Sequence, residues 1–173
     1  NLVAVFHSDK YDEGWNTFGD TEELNERFAE ACPRVRELLA KIETWKMWVL
    51  CDREPVKNWT DGRVTLLGDA AHPMLQYLAQ GAGQAIEDAV VLREALRVTQ
   101  GGVPHALQKY QQARYLRTGR VQLTARFYGD IYHASGVQRE LRNRIFQSGQ
   151  ESAGFAGLKW MYEGIDPATV IRR

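Results

Sequence analysis

Cysteine is scarce in this 173-residue chain, with Cys32 and Cys51 the only two. Two cysteines build neither a disulfide framework nor a metal cluster, and reduced, buried thiols in the cytosol are the expectation. An excess of charge is lacking too. Lys plus Arg total 22 and Asp plus Glu total 22, a balance that supplies no electrostatic attraction for nucleic acid or an anionic membrane. No apolar run approaches the roughly 20 residues of a membrane span. The opening "NLVAVFHSDK" has neither the basic start nor the long apolar stretch of a signal peptide. The histidines at 7, 72, 105 and 133 have no ligand spacing and no Gly-x-Ser-x-Gly elbow occurs, which sets metal and hydrolase chemistry aside. What remains is a cytoplasmic globular protein with no integral membrane segment.

Elements follow from pattern. "NLVAVF" is strand-like over residues 2–7, and the turn-rich "SDKYDEGWNTFGD" follows it. Asp20 stands three residues before Glu23, a capping-box-like start for a helix carrying Leu24, Phe28 and Ala31. Pro33 suits the first turn of a second helix. "TWKMWVLCD" alternates and is rich in aromatics, so it reads as a strand. "RVTLL" is apolar enough for the interior of a sheet covered on both faces. From Gly83 to Val98 the spacing predicts a helix with Ile86, Ala89, Val90, Ala95 and Leu96 broadly on one side. Pro104 begins a long helix whose Arg and Gln residues predict a largely solvated face, and "SGVQRELRNRIFQSG" is another helix before a mixed tail. Strands come early and helices late.

The chemistry concentrates between Gly68 and Asp88. A buried strand ending at Gly68-Asp69 puts an acid at the carboxyl edge of a sheet, where open α/β sheets bind ligands. Glycine lets a flat or extended ligand approach the backbone, Ala70 and Ala71 keep the floor small, and Asp69 can accept hydrogen bonds from ligand hydroxyls. In "AQGAGQAIEDA", Gly81 and Gly83 stand where a helix begins. Its free N–H groups and dipole suit an anionic or electron-rich atom.

"GDAAHP" followed by "GAGQAIEDAVVL" resembles the second flavin-binding motif of the class A FAD-dependent aromatic hydroxylases. The wider run, with "DREPVKNW" and "LQYLAQG", is most similar to the branch of 3-hydroxybenzoate 6-hydroxylase and salicylate hydroxylase. The resemblance covers most of the chain, most strongly from about Trp45 to Leu96. It implies that Asp69 bonds the ribityl chain of FAD, with Gly68 and Ala70 beside it. The helix opening at Gly81, Ala82, Gly83 and Gln84 would lie by the pyrimidine edge of the flavin. Pro73 would line the space between flavin and substrate, Gln76 and Tyr77 would contact the aromatic substrate, and Asp52 and Arg53 would belong to a loop near the flavin. In that family NADH or NADPH reduces FAD, O2 gives a flavin C4a-hydroperoxide, and a phenolate carbon attacks it. The protein's tasks are to deprotonate the phenol, exclude water and hold the ring.

The family also carries a strand–GxGxxG–helix that grips the FAD pyrophosphate, and no such motif occurs here. The chain therefore reads as the C-terminal part of a hydroxylase, and the resemblance implies a catalytic base upstream of residue 1, not replaced by His7. The expected fold is α/β, or α+β as a fragment: a remnant of the three-layer FAD-binding fold and of the substrate-domain sheet, then a helical C-terminal region. Residues 1–52 would belong to the substrate-binding domain, 53–100 to the second half of the FAD-binding domain with the GDAAHP motif, and 101–173 to the helical region.

Other residues read more blandly. His72 fixes the turn before Pro73. Trp45, Trp48 and Trp59 suit core packing, while Phe127, Tyr128 and Tyr132 suit packing where the long helix ends. Arg114, Arg117 and Arg120 with Lys109 suit a solvated face or a contact between two copies. Two alternatives stay open: a non-catalytic interaction or dimerisation module, and a flavin monooxygenase for another substrate class. The partners implied are a small aromatic substrate and O2, with a homodimer compatible and nucleic acid excluded.

Overall fold

The structure, a computed structural model, describes residues 2–8, 14, 17–148 and 151–172, with 151–156 described by backbone alone. The connection expected from Ser8 to Asp20 lies largely outside them. The chain divides into two compact units, residues 1–50 and 51–173.

In the first unit, helix α1 runs Thr21–Arg27 and α2 runs Pro33–Leu39. Asp20 caps α1 as its sequence position predicts, accepting the backbone N–H groups of Glu22 and Glu23 at 2.9 and 3.4 Å. Pro33 occupies the first turn of α2, where no intrahelical donor is lost. The expected strand over residues 2–7 does not form. Nor does a full strand form at Trp45: Phe18 and Lys46 make a single antiparallel bridge, flanked by Gly19 N–H to Trp45 O and Met47 N–H to Thr17 O, both 2.9 Å. Trp48 is exposed rather than in a core.

The second unit opens with a two-residue hairpin, β1 (Thr60–Asp61) against β2 (Val64–Thr65), turning at Gly62. The covered interior strand expected at residues 63–67 is therefore corrected. Val64 is 68% exposed, and Leu66 and Leu67 are exposed as well. A strand exists only through its hydrogen-bonded neighbours. Among the described residues this segment has a single two-residue strand partner, and α4 packs against the hairpin while Val64 stays in solvent.

Helices dominate the rest. They are α3 (Gly81–Val98), α4 (Val103–Tyr132), α5 (Gly136–Gln147), α6 (Glu151–Tyr162) and α7 (Pro167–Arg172), so the mixed tail is helical. Among the described residues, no helix is long and apolar enough to cross a membrane. One core cluster joins Trp59, Ala71, Val91, Ala95, Tyr110 and Ile171. A second joins Leu78, Val121, Ala125 and Met161. Both use α4 as their wall.

Three more expectations are corrected. Helix α3 buries Gln84, Asp88, Val91 and Ala95, at i, i+4, i+7 and i+11, while Ile86 is 66% exposed and Val90 and Leu96 are also exposed. Helix α4 does not solvate its basic stretch: Arg114 is fully buried, Arg117 is half-buried, and only Arg120 stays exposed. Cys32 and Cys51 are free, as expected, but exposed rather than buried.

Candidate functional site

The loop after β2 takes its shape from one residue. Gly68 adopts φ +59°, a left-handed conformation that L side chains rarely hold, and a Cβ there would lie 3.3 Å from Ala85 Cβ of α3. This turn begins a short 3-10 segment, Gly68–Ala70, closed by Ala71 N–H and His72 N–H to Gly68 O, both 2.9 Å. Asp69 is left exposed at its tip. A Cβ placed on Gly81 would lie 3.8 Å from Asp69 Oδ1, so the first residue of α3 and the Asp69 carboxylate are neighbours. Gln80 makes no side-chain cap on α3. The N–H groups of Gly81, Ala82 and Gly83 thus carry the positive end of the helix dipole without a capping side chain. An exposed carboxylate beside bare helix N–H groups, with glycine leaving the approach open, fits a ligand offering hydroxyl donors at one place and an electron-rich edge at another.

Beneath this surface lies a buried ionic network. Asp88 Oδ2 accepts the Gly68 N–H at 2.9 Å and meets His72 Nε2 at 2.6 Å, while Asp88 Oδ1 accepts Arg114 Nε–H at 2.7 Å. Arg114 also donates to Glu87 Oε2 at 2.6 Å and, through its other terminal nitrogen, to Gln84 O and Gln84 Oε1 at 3.2 and 2.8 Å. Glu87 holds Arg117 by two bonds, and Arg117 reaches on to the carbonyls of Trp160 and Met161 in α6. Burial acts to raise the Asp88 carboxyl, but bonds from His72, Arg114 and Gly68 outweigh it and hold the group below its ordinary value. Glu87 is lowered in the same way, burial being overcome by Arg117 and Arg114. An ionised Asp88 requires His72 to donate through Nε2. His72 Nδ1 is buried without a hydrogen-bond partner.

The flanking loops are fastened from α4. Gln122 donates one amide group to Arg53 O at 3.1 Å and Pro73 O at 2.9 Å, and Arg53 donates to Ala70 O at 3.1 Å. Arg126 pairs with Asp52 and Glu54. A second 3-10 turn, Gln76–Leu78, leaves Gln76 exposed. Tyr77 turns its ring onto Gly129 and its hydroxyl to His133 Nε2 at 3.0 Å, with Tyr132 edge-on at 5.9 Å. Burial, then the negative charge of Asp130, raises the Tyr77 phenol.

The sequence-predicted residues thus meet in part. Gly68, Asp69, Ala70, Gly81, Ala82 and Gly83 gather at one loop and helix start. Gln84 supports them from below, since its N–H bonds Gln80 O and its side chain meets Arg114. Pro73, Gln76 and Tyr77 lie on the following loop. Sequence reasoning missed Asp88, Arg114, Glu87 and Gln122. The signal available for two of them was "QAIEDA", which places Asp88 one helical turn after Gln84, with Glu87 adjoining.

Comparison with known proteins adds a family. A model described as an FAD-binding domain matches residues 1–124. The chain is 45% identical over 162 residues to 3-hydroxybenzoate 6-hydroxylase of Polaromonas naphthalenivorans, covering 94% of this chain and 40% of that protein. It is 38% identical over 172 residues to a 3-amino-4-hydroxybenzoate 2-monooxygenase of Streptomyces platensis, covering 98% of this chain and 42% of that one. Among solved structures, a salicylate hydroxylase substrate complex superposes with a TM-score of 0.76 at 33% identity, covering 96% of this chain and 40% of the other. Klebsiella pneumoniae HpxO, complexed with FAD and uric acid, gives 0.62 at 34% identity, covering 74% and 36%. The chain spans about two-fifths of the length of each of these two curated relatives.

Proposed function

The chain belongs to the FAD-binding domain family, and from that premise we propose that it is the flavin-holding part of an aromatic-ring monooxygenase. The reaction would consume NADH or NADPH and O2 and hydroxylate a small phenolic acid of the 3-hydroxybenzoate or salicylate type. One observation carries the reading: the exposed Asp69 carboxylate lies beside Gly81 at the uncapped start of α3. The match of residues 1–124 and the similarity to two classes of benzoate hydroxylase support it.

In this reading Asp69 accepts hydrogen bonds from the ribityl hydroxyls of FAD. Gly68 and Ala70 form the floor. The N–H groups of Gly81, Ala82 and Gly83 face the electron-rich edge of the ring, stabilising negative charge as a helix N-terminus does. Gln84 braces that turn. Pro73 lines the substrate space, and Gln76 and Tyr77 contact the aromatic ring. Bound FAD supplies electron transfer from the nicotinamide and activation of O2. The chain's own residues bind, orient and exclude water. Residues 1–52 serve the substrate side, 53–100 hold the flavin, and 101–173 form the helical region that braces the flavin side. In this reading the reaction, fed by NADH or NADPH, would run in the cytoplasm.

The test is turnover by the intact protein with its product identified. Coupled hydroxylation of 3-hydroxybenzoate or salicylate supports the proposal. Uncoupled peroxide from both compounds removes the phenolic-acid assignment, and absence of bound FAD removes the flavin assignment.

A further inference from the structure

We infer that Asp88 is a positioning residue for the flavin-facing loop, acting through Gly68 and His72 on Asp69. The inference rests on the reading of Asp69 as a cofactor contact, and its foundation is geometric.

Asp88 is fully buried and touches the loop at both of its ends. At the near end it accepts the Gly68 N–H, at 2.9 Å, from the one residue of the loop with left-handed backbone. At the far end it takes His72 Nε2 at 2.6 Å. Asp69, Ala70 and Ala71 are the span between these anchors. With both ends bonded to one carboxylate, three intervening residues have little freedom, and Asp69 is presented toward Gly81. Asp88 and Gly81 stand on the same rigid helix, two turns apart, so the anchor and the helix start that the ligand would meet cannot drift separately. Arg114 neutralises the buried carboxylate and holds its other oxygen.

Glu87 provides an internal control. It is the adjacent acid on α3 and is bound to the same Arg114, yet its bonds run to Arg114 and Arg117 and none of those shown reaches Gly68 or His72. Loss of Glu87 weakens the network without releasing the loop. Loss of Asp88 does both.

The experiment uses the intact protein with Asp69→Ala, Asp88→Asn, their double variant and Glu87→Gln. FAD affinity is read by flavin fluorescence, and loop order by amide hydrogen exchange without added FAD. Asp88→Asn is expected to weaken FAD binding about ten- to hundredfold, the scale of hydrogen bonds to a charged group. If Asp88 works through Asp69, the double variant binds FAD no more weakly than the worse single variant, a coupling that independent effects lack. Glu87→Gln stays within about twofold of the parent in FAD affinity while its melting temperature falls. Exchange in Asp88→Asn rises at Gly68–His72 while the middle of α3 stays protected.

Equal loss of FAD affinity in Asp88→Asn and Glu87→Gln, or multiplied losses in the double variant, overturns the inference in favour of a purely structural acid. Where the stranded Arg114 prevents Asp88→Asn from folding, pairing it with Arg114→Met removes the uncompensated charge, and the same readouts apply. If the parent protein takes up no FAD, the cofactor reading fails. The exchange result still decides the loop: a selective rise at residues 68–72 upholds the anchor, and unchanged exchange there overturns it.

Discussion

The ring of Tyr77 lies against the bare Cα of Gly129, so close that a methyl group there would come within 2.6 Å of Tyr77 Cε2. Gly129 is a buried glycine in the last turn of α4, where glycine normally costs up to roughly 1 kcal/mol against alanine. Here that cost is offset by an aromatic contact which only glycine admits. Gly129→Ala is expected to destabilise the protein by about 1–3 kcal/mol through overpacking, and to disturb the Tyr77–His133 bond. Denaturant unfolding reads the first effect. Tyrosine absorbance titration reads the second, as movement of the raised Tyr77 phenol toward its ordinary value.

The acid limb of stability belongs to Glu87 and Asp88. Both carboxyls are held below their ordinary values in the folded protein. Their contribution is therefore complete above those ordinary values, near pH 4, and is lost as pH falls through the lowered ones. Melting temperature should stay level from neutrality to about pH 5 and drop steeply below about pH 4. An Asp88→Asn, Arg114→Met pair should blunt that drop. An unchanged acid limb in the paired variant would place its origin elsewhere.

Arginines on α4 should differ sharply in weight. Arg114→Ala strands Asp88 and is expected to cost about 3–5 kcal/mol. Arg120, exposed and stacked 3.8 Å over the Trp160 ring, should cost less than about 1 kcal/mol on the same change. Chemical denaturation of the two single variants checks the ranking, which reverses if the basic stretch is a solvated face.

Asp69→Ala removes an exposed carboxylate with no packing role, so stability should change by less than about 0.5 kcal/mol. FAD affinity should fall by about tenfold or more. A variant that binds FAD like the parent would remove Asp69 from the cofactor site.

Ala79 carries a left-handed backbone, φ +51°, between the Tyr77 turn and the start of α3. Replacing it by glycine relieves that strain against a loss of unfolded-state restriction, for a net gain of up to about 1 kcal/mol. A fall in stability would mean that the alanine methyl makes a contact worth more than the strain.

The readable parts of the sequence were those whose causes are local. Asp20 caps α1, Pro33 opens α2, and Gly68-Asp69 with Gly81 and Gly83 forms a loop facing a helix start, each from residues a few positions apart. What was hidden depends on partners far along the chain. Gln84 and Asp88 look like the outer face of α3 because hydropathy values each side chain alone, and Asp88 becomes a core residue only when Arg114 arrives from α4. The same blindness misplaced Arg114 in solvent. Strands misled for the opposite reason: Val64 and Leu66 have the character of an interior strand, but pairing and a covering layer are properties of neighbours.

Helix α4 meets the site at Arg114, Gln122, Arg126 and Gly129, all on one face, and each touches a different segment. These contacts span fifteen residue steps, about 22 Å of unbroken helix. The helix therefore behaves as a measuring rod. Adding or deleting one residue within it would turn every later mark by about 100° and shift it by about 1.5 Å. Asp52, Pro73 and Tyr77 would lose their counterparts together. Substitutions on the outer side, at Gln112 or Leu116, leave the marks in place. Length should therefore be far less tolerant of change than sequence between Arg114 and Gly129, whereas the loops that this helix fastens can vary in length without moving the marks.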